Sequence, residues 1–267
     1  MRLPNVFAAA IVAVVSGQAA AQFLVPEQTA DGWTRGSTPL SIYAEWDFFS
    51  NPGPPADPEE ASNIPDFEAV VGTLPPDAAL FDAYDRDRET SFSFVTSSSL
   101  NIYSFSGVVA PEVIAPGFDL GYGFRTTVWF QTRVLGASAD LGSFTLNERI
   151  EPLEVTVLSE GDSDSPFGGI EQDIFVLFET SRNDGVHTVN FQASGTSMSF
   201  DIGIIDTFTE MLPCAADIDL SGVVDFVDAL AFLEDAAIDD ADWNNDESTD
   251  ATDVEQLLVE LGSGCQP

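Results

Sequence analysis

The sequence predicts a mainly β protein: an antiparallel, jelly-roll-like β-sandwich, followed by a small α-helical unit. Residues 40–48, 153–157 and 198–204 alternate apolar and polar side chains with the period of two that is typical of strands. Residues 174–178 form a continuous apolar run, as expected for a strand buried on both faces. Short segments of this kind, separated by Gly, Asn and Asp turns, are typical of antiparallel sandwiches.

The remaining strands are expected near residues 91–96, 100–109, 124–134 and 186–193. Residues 51–88 are rich in Pro and Asp, which disfavours a long central strand there. We interpret this stretch as an excursion over the surface, with a short helix near residues 76–84. The whole sandwich is placed at residues 22–210.

Composition supports a packed core and restricts the partners. The chain has 267 residues, 44% of them hydrophobic, and 21 Phe, enough for one sizeable domain and a small one. Its formal net charge is −37, from 8 Lys and Arg against 45 Asp and Glu. Such a field repels phosphate backbones and anionic headgroups, so we expect no nucleic acid partner and no anionic membrane partner.

The N-terminal residues 1–21 have the pattern of a secretory signal peptide. Arg2 is followed by an apolar run at residues 6–15, which is too short to span a bilayer, and by alanines at 19–21. Cleavage before Gln22 gives a secreted, extracellular protein. A buried N-terminal helix is the alternative. No other run reaches spanning length, so we expect no membrane insertion.

The strongest motif is an acidic loop at residues 217–228. Oxygen-bearing side chains occupy loop positions 1, 3, 5, 9 and 12, Val223 offers its carbonyl at position 7, and a glycine stands at position 6. Calcium prefers six to eight oxygen ligands, and this EF-hand-type spacing wraps them around one point. The candidate ligands are Asp217, Asp219, Ser221, Val223, Asp225 and Asp228.

The pattern returns 25 residues later, at residues 242–253. Position 6 is Glu247 in place of glycine, so the second loop is expected to be weaker or empty, and the chain to bind one or two calcium ions. Apolar residues at helical spacing follow each loop. The candidate ligands of the second loop are Asp242, Asn244, Asp246, Ser248, Asp250 and Asp253.

The two cysteines, Cys214 and Cys265, bracket both loops. In an oxidising compartment such a pair is expected to form a disulfide, and two isolated thiols binding a metal is the weaker alternative. Together with the calcium ions, a disulfide would supply the cross-links that so small a unit needs.

These loops, their spacing and the helices behind them make residues 214–267 resemble a type I dockerin. The resemblance implies a calcium-loaded module that attaches a secreted protein to a cohesin-like or cell-surface protein, in the company of polysaccharide-degrading enzymes. Loop positions 10 and 11, often Ser-Thr in dockerins, are Phe226-Val227 and Ala251-Thr252 here, and only Thr252 matches. The calcium ligands therefore carry over more completely than the cohesin contact.

The function of the sandwich has two candidate descriptions. The first is a non-catalytic binding or adhesion domain, with a polysaccharide platform at Trp129, Gln131 and Arg133, which share one strand face opposite Val128 and Phe130. Packing of Trp129 under a loop or on the module is the alternative. The second is a glycoside hydrolase-type enzyme, which needs two carboxylates that the sequence does not single out. A catalytic role is thus less expected than binding, and no catalytic residue is named.

Overall fold

The computed structural model describes residues 23–26, 33–54, 63–163, 168–237, 241–244, 246 and 248–263. The predicted signal peptide and the residues Glu247 and Cys265 lie outside this range.

The described residues form twelve strands and three helices. The strands are β1 (Ser41–Trp46), β2 (Phe67–Val71), β3 (Asp82–Asp85), β4 (Phe94–Val95), β5 (Ile102–Tyr103), β6 (Pro111–Pro116), β7 (Gly121–Gly136), β8 (Thr145–Leu146), β9 (Glu154–Asp162), β10 (Ile170–Asn183), β11 (Val186–Asn190) and β12 (Met198–Met211). The helices are α1 (Arg88–Ser91), α2 (Phe226–Ala236) and α3 (Ala251–Ser263).

The strands form two antiparallel sheets. Sheet A has the order β2-β1-β12-β7-β10-β9, and the short β5 also pairs with β12 and carries β4. Sheet B has the order β3-β6-β11-β8. The chain is therefore mainly β, as the periodicity predicts.

Side chains from both sheets meet in one buried cluster. Sheet A contributes Val128 and Phe130 of β7 and Phe200 of β12, and sheet B contributes Val113 of β6 and Val189 of β11. Two sheets that share a core in this way are consistent with a β-sandwich.

The opposite face of sheet A is also covered. The ring of Trp33, which precedes β1, lies 5.1 Å from the ring of Trp129 and 5.5 Å from that of Phe208, between centroids. Phe175 packs edge-on to Trp129 at 5.1 Å, and Leu24 joins the same cluster. The strand β10 is thus buried on both faces, as its continuous apolar run predicts.

The Pro-rich stretch differs from its prediction in one respect. The helix expected near residues 76–84 is wrong, because β3 occupies Asp82–Asp85 and no helix lies between residues 76 and 84. Both strands in the stretch, β2 and β3, are at sheet edges, where the missing N–H groups of neighbouring prolines do least harm.

Across the described part of the chain, no helix has the length and apolar character needed to cross a membrane.

Candidate metal centre

The first acidic loop gathers three carboxylates at one point. Ligand oxygens of Asp217, Asp219 and Asp228 all lie within 4.8 Å of one another. Calcium–oxygen distances of about 2.3–2.6 Å place ligands on opposite sides of the ion about 5 Å apart, so these three oxygens fit one calcium shell. The donor set is all oxygen, as a hard divalent cation prefers.

Asp228 closes this loop onto its own beginning. Its carboxylate is fully buried and accepts hydrogen bonds from the backbone N–H groups of Ile218 (2.7 Å), Asp219 (3.1 Å) and Asp225 (2.7 Å). Asp225 in turn caps α2 by accepting from the N–H of Val227 at 2.7 Å. The carboxylate at position 12 therefore fixes both the loop and the start of the helix behind it.

Gly222 makes the sharp turn that position 6 requires. Its φ is +79°, in the left-handed region that favours glycine, and its N–H donates to the Asp217 carboxylate at 2.9 Å. A Cβ built on it would meet no atom within 4 Å, so only the backbone conformation favours glycine there. The structure also brings Ser221 and Val223 together, since the Ser221 hydroxyl donates to the Val223 carbonyl at 3.1 Å.

Asp225 is held differently from the other acidic candidates. It lies outside the group of three carboxylates and uses one oxygen to cap α2. Position 9 of such loops often reaches the ion through a water molecule, which leaves the side chain free to cap.

The second loop repeats these contacts 25 residues further on. The fully buried Asp253 accepts from the N–H groups of Trp243 (2.8 Å), Asn244 (3.2 Å) and Asp250 (2.8 Å), matching Asp228 bond for bond. Asp250 accepts from the N–H of Thr252 at 2.7 Å, as Asp225 does from Val227. The two loops are therefore structural repeats.

Backbone N–H groups of this second loop donate to the carboxylates at positions 1 and 5, but among the described residues its carboxylates do not form a group of three like that of the first loop. The N–H of Asp246 donates to Asp242 at 3.0 Å, and that of Ser248 to Asp246 at 3.1 Å. The side-chain oxygen of Asn244 is buried and has no hydrogen-bond partner among the described residues. Leaving a buried acceptor unsatisfied costs free energy, and a bound cation would satisfy this one.

The surroundings of the two loops shift the pKa values of Asp217 and Asp246. Burial, and then the negative charges of Asp228 and Asp219, raise the pKa of Asp217, although the Gly222 N–H works against the shift. A hydrogen bond from the Ser248 hydroxyl lowers the pKa of Asp246. Gathering carboxylates around Asp217 brings negative charges close together, and their repulsion is unfavourable. A divalent cation bound between them would offset this repulsion.

Cys214, at the beginning of the module, is disulfide-bonded. The only other cysteine in the sequence is Cys265, which lies outside the described residues.

The module packs directly on the sandwich through Tyr122 of β7. Its ring stacks on Trp243 at 5.1 Å and contacts Phe232 of α2 at 5.6 Å. Its hydroxyl donates to Asp235 at 2.7 Å, and Arg149 pairs with the same carboxylate at 2.6 Å. Sequence reasoning missed this contact, because no local pattern marks a tyrosine that fills the core of another unit.

Residues at position 2 of both loops join the same cluster. Ile218 and Trp243 point into it beside Tyr122, while their N–H groups hold Asp228 and Asp253. The two acidic loops and the contact with the sandwich thus share residues.

The platform predicted at Trp129, Gln131 and Arg133 is corrected by the structure. Trp129 is only 7% exposed, and its ring is covered by Trp33 and Phe175. The three residues do share one strand face, opposite Val128 and Phe130, but that face is covered. The alternative, that Trp129 packs under another segment of the chain, describes the observed contact.

The other two platform residues have structural partners. The side-chain amide of Gln131 accepts from the N–H of Leu24 at 2.7 Å and donates to its carbonyl at 3.0 Å, so it holds the N-terminal segment. Arg133 forms two hydrogen bonds to the buried Asp173, at 2.7 and 3.0 Å.

Comparison of the chain with models of known protein families, with curated proteins and with solved structures finds no match.

Proposed function

We propose that this chain is a secreted, calcium-binding attachment protein. A jelly-roll-like sandwich carries a C-terminal dockerin-like module, residues 213–267, whose two EF-hand-type loops hold one calcium ion each. The single observation that carries the proposal is the repeated closure of both loops by a buried aspartate, Asp228 and Asp253, on equivalent N–H groups.

Two further features support calcium over a solvated acidic turn. The three-carboxylate cluster of the first loop is sized for one cation, and the second loop contains the unsatisfied oxygen of Asn244. Extracellular calcium modules work at dissociation constants of about 0.1–1 mM, which is the range expected for these loops in a secreted protein.

The attachment role rests on the outer surface of the module. The first and second turns of α2 expose apolar side chains, with Phe226 72% exposed, and Leu230 and Leu233 continue the same side of the helix. Leu258 and Val259 are exposed on α3. Such side chains favour a protein partner, cohesin-like or on a cell surface, and the absence of Lys and Arg after Arg182 favours a partner with a basic rim.

Calcium titration of the mature protein by calorimetry tests the metal sites. Asp217→Asn with Asp219→Asn removes two charges but keeps oxygen acceptors, and Asp228 stays intact to close the loop. We expect this variant to lose the tighter calcium event. Glu255→Gln with Glu260→Gln, exposed carboxylates on α3, is the charge-matched control and should bind as the parent does.

The same sample tests the folding role of the ion. Chelation should lower the melting temperature of the module, because calcium binds the folded form preferentially. A calcium titration without heat, together with one melting curve shared by calcium-loaded and chelated protein, would refute the proposal.

The attachment surface has its own test. We expect Phe226→Ser with Leu230→Ser to leave calcium binding unchanged and to abolish calcium-dependent binding to a panel of purified cohesins. Equal binding by parent and variant would remove this surface from the proposal.

A further inference from the structure

One stretch of the sandwich lacks charge altogether. Residues 90–111, called the uncharged strip below, contain no Asp, Glu, Lys, Arg or His. At the chain's average of 20% charged residues, 22 positions would contain about four. The strip runs from the end of α1 through β4 and β5 to the start of β6. In a protein with a net charge of −37, so long a run without charge is unusual, and ten of its residues are exposed.

The strip exposes aromatic rings that contact each other. Phe105 is 59% exposed and Phe94 is 38% exposed, with their ring centroids 5.6 Å apart and their planes 29° apart. Tyr103 lies edge-on to both, at 4.7 Å from Phe105 and 5.7 Å from Phe94. Monomeric proteins rarely expose a contiguous group of large apolar side chains without a binding role.

Two further apolar residues of the strip are exposed at strained backbone positions. Phe92 ends α1 with φ +54°, and Leu100 precedes β5 with φ +57°; both are exposed. Glycine or asparagine would adopt this left-handed conformation with less strain and would expose no apolar surface. Bulky side chains at both positions indicate that the strip uses them for contact.

The polar groups of the strip are hydroxyls. Ser97, Ser98, Ser99 and Ser106 are the exposed serines of the strip. A hydroxyl both donates and accepts hydrogen bonds, so it pairs well with the hydroxyls of a sugar. Aromatic faces carry a negative quadrupole and attract the polarised C–H groups of a sugar ring.

We propose that the uncharged strip binds a neutral polysaccharide. Charge favours this ligand over other classes. Acidic glycans and anionic lipids are repelled by the negative charge of the molecule, and the strip has no carboxylate to bind a cationic partner. A second copy of the chain brings its own net charge of −37, which opposes pairing. A neutral polymer with C–H faces and hydroxyls meets no such repulsion. This site lies in the sandwich and is independent of calcium.

Affinity electrophoresis of the mature protein tests the site. Gels contain a neutral polysaccharide (xylan, mixed-linkage β-glucan, galactomannan or starch) or an acidic one (alginate or polygalacturonate). We expect at least one neutral polymer to retard the protein equally with calcium and with chelator, and the acidic polymers to have no effect. A retardation that disappears with chelator would place binding on the module instead and overturn the inference.

Variants then localise the binding. Phe94→Ala with Phe105→Ala should weaken the affinity at least tenfold, and Phe105→Ala alone tests the same surface if the double variant does not fold. Phe226→Ala, an exposed phenylalanine of the module, is the matched control and should bind as the parent does. No retardation by any neutral polymer, or retardation that survives loss of both rings, would overturn the inference. So would sedimentation showing a dimer that the same substitutions dissociate.

Discussion

The sandwich buries large aromatic and aliphatic side chains between two sheets, whereas the described core of the module contains six buried apolar residues, and one of these, Tyr122, belongs to the sandwich. Burial of this apolar area is a main source of stability for the first unit. The second unit has other sources of stability: a disulfide at Cys214, the Tyr122 ring of the sandwich, and, on our proposal, calcium ions in its two acidic loops. The two units should therefore respond to different perturbations.

The largest expected difference between the units follows from opening the disulfide. Cys214→Ser releases a loop of roughly fifty residues if Cys265 is the partner, which costs about 4 kcal/mol on the chain-entropy estimate. Calorimetry should show the module's transition at lower temperature and the sandwich's transition in place. Reducing agent added to this variant should change nothing further. Equal shifts of both transitions would show that the two units melt as one.

Removing the Tyr122 ring should have the next largest effect on the stability of the module. Tyr122→Ala should destabilise the module by about 3 kcal/mol, as expected for a large buried aromatic side chain. Tyr122→Phe keeps the ring and loses only the hydrogen bond to Asp235, which is worth about 1 kcal/mol. Denaturant unfolding followed by tryptophan emission, to which Trp243 contributes, measures both. Equal effects of the two variants would mean that the hydroxyl and not the ring holds the module.

A third variant separates the calcium loops from each other. Asn244→Ala deletes the unsatisfied oxygen of the second loop, so it should lower that loop's calcium affinity by tenfold or more. Without calcium, two effects oppose each other: the variant no longer buries an unsatisfied oxygen, but it loses the hydrogen bond from the Asn244 side chain to Asp246, so the free energy of unfolding should change by less than about 1 kcal/mol. Calcium stoichiometry and denaturant unfolding in chelator give the two values. Unchanged calcium binding would exclude Asn244 as a ligand.

The smallest expected effect is a pH dependence confined to the sandwich. His187 is fully buried, and burial lowers its pKa, although the charge of Asp184 opposes the shift. Below about pH 6.5 His187 becomes protonated in the unfolded chain but stays neutral in the folded chain. The free energy of unfolding therefore falls by up to about 1.4 kcal/mol per pH unit.

Asp47 acts in the opposite direction in the same pH range. Burial, with the hydrogen bond and charge of Asp66, raises the pKa of Asp47 to about 6, so protonation favours its folded form as the pH falls. Comparing His187→Asn with the parent protein between pH 7 and pH 5 isolates the histidine. If both lose stability with the same slope, His187 does not cause the loss.

Local spacing explains what the sequence could predict. The candidate ligands of each acidic loop lie within twelve residues, and the strands are recognised by a period of two, so both can be identified from local sequence. The uncharged strip was also visible in the sequence, as a run of 22 residues without charge in an acidic protein.

Long-range contacts and buried polar groups explain the errors. Trp129 looked like a surface aromatic among polar residues, but Trp33, almost a hundred residues earlier, covers it. The strand β3 was missed because it lies in the Pro- and Asp-rich stretch, and two of its own four residues are aspartates. Asp82 and Asp85 are buried by accepting N–H groups from Asn63 and Ala110, which the sequence does not reveal.

The position of Tyr122 limits how the module can be transferred between proteins. A domain that contains its whole core can be moved to a new carrier by recombination or cloning, but this one would leave the faces of Phe232 and Trp243 bare. A fusion that keeps residues 213–267 alone should be prone to aggregation. The protein to which it is fused would need an aromatic side chain in the place of Tyr122. Carrier and module are therefore expected to have evolved as a pair.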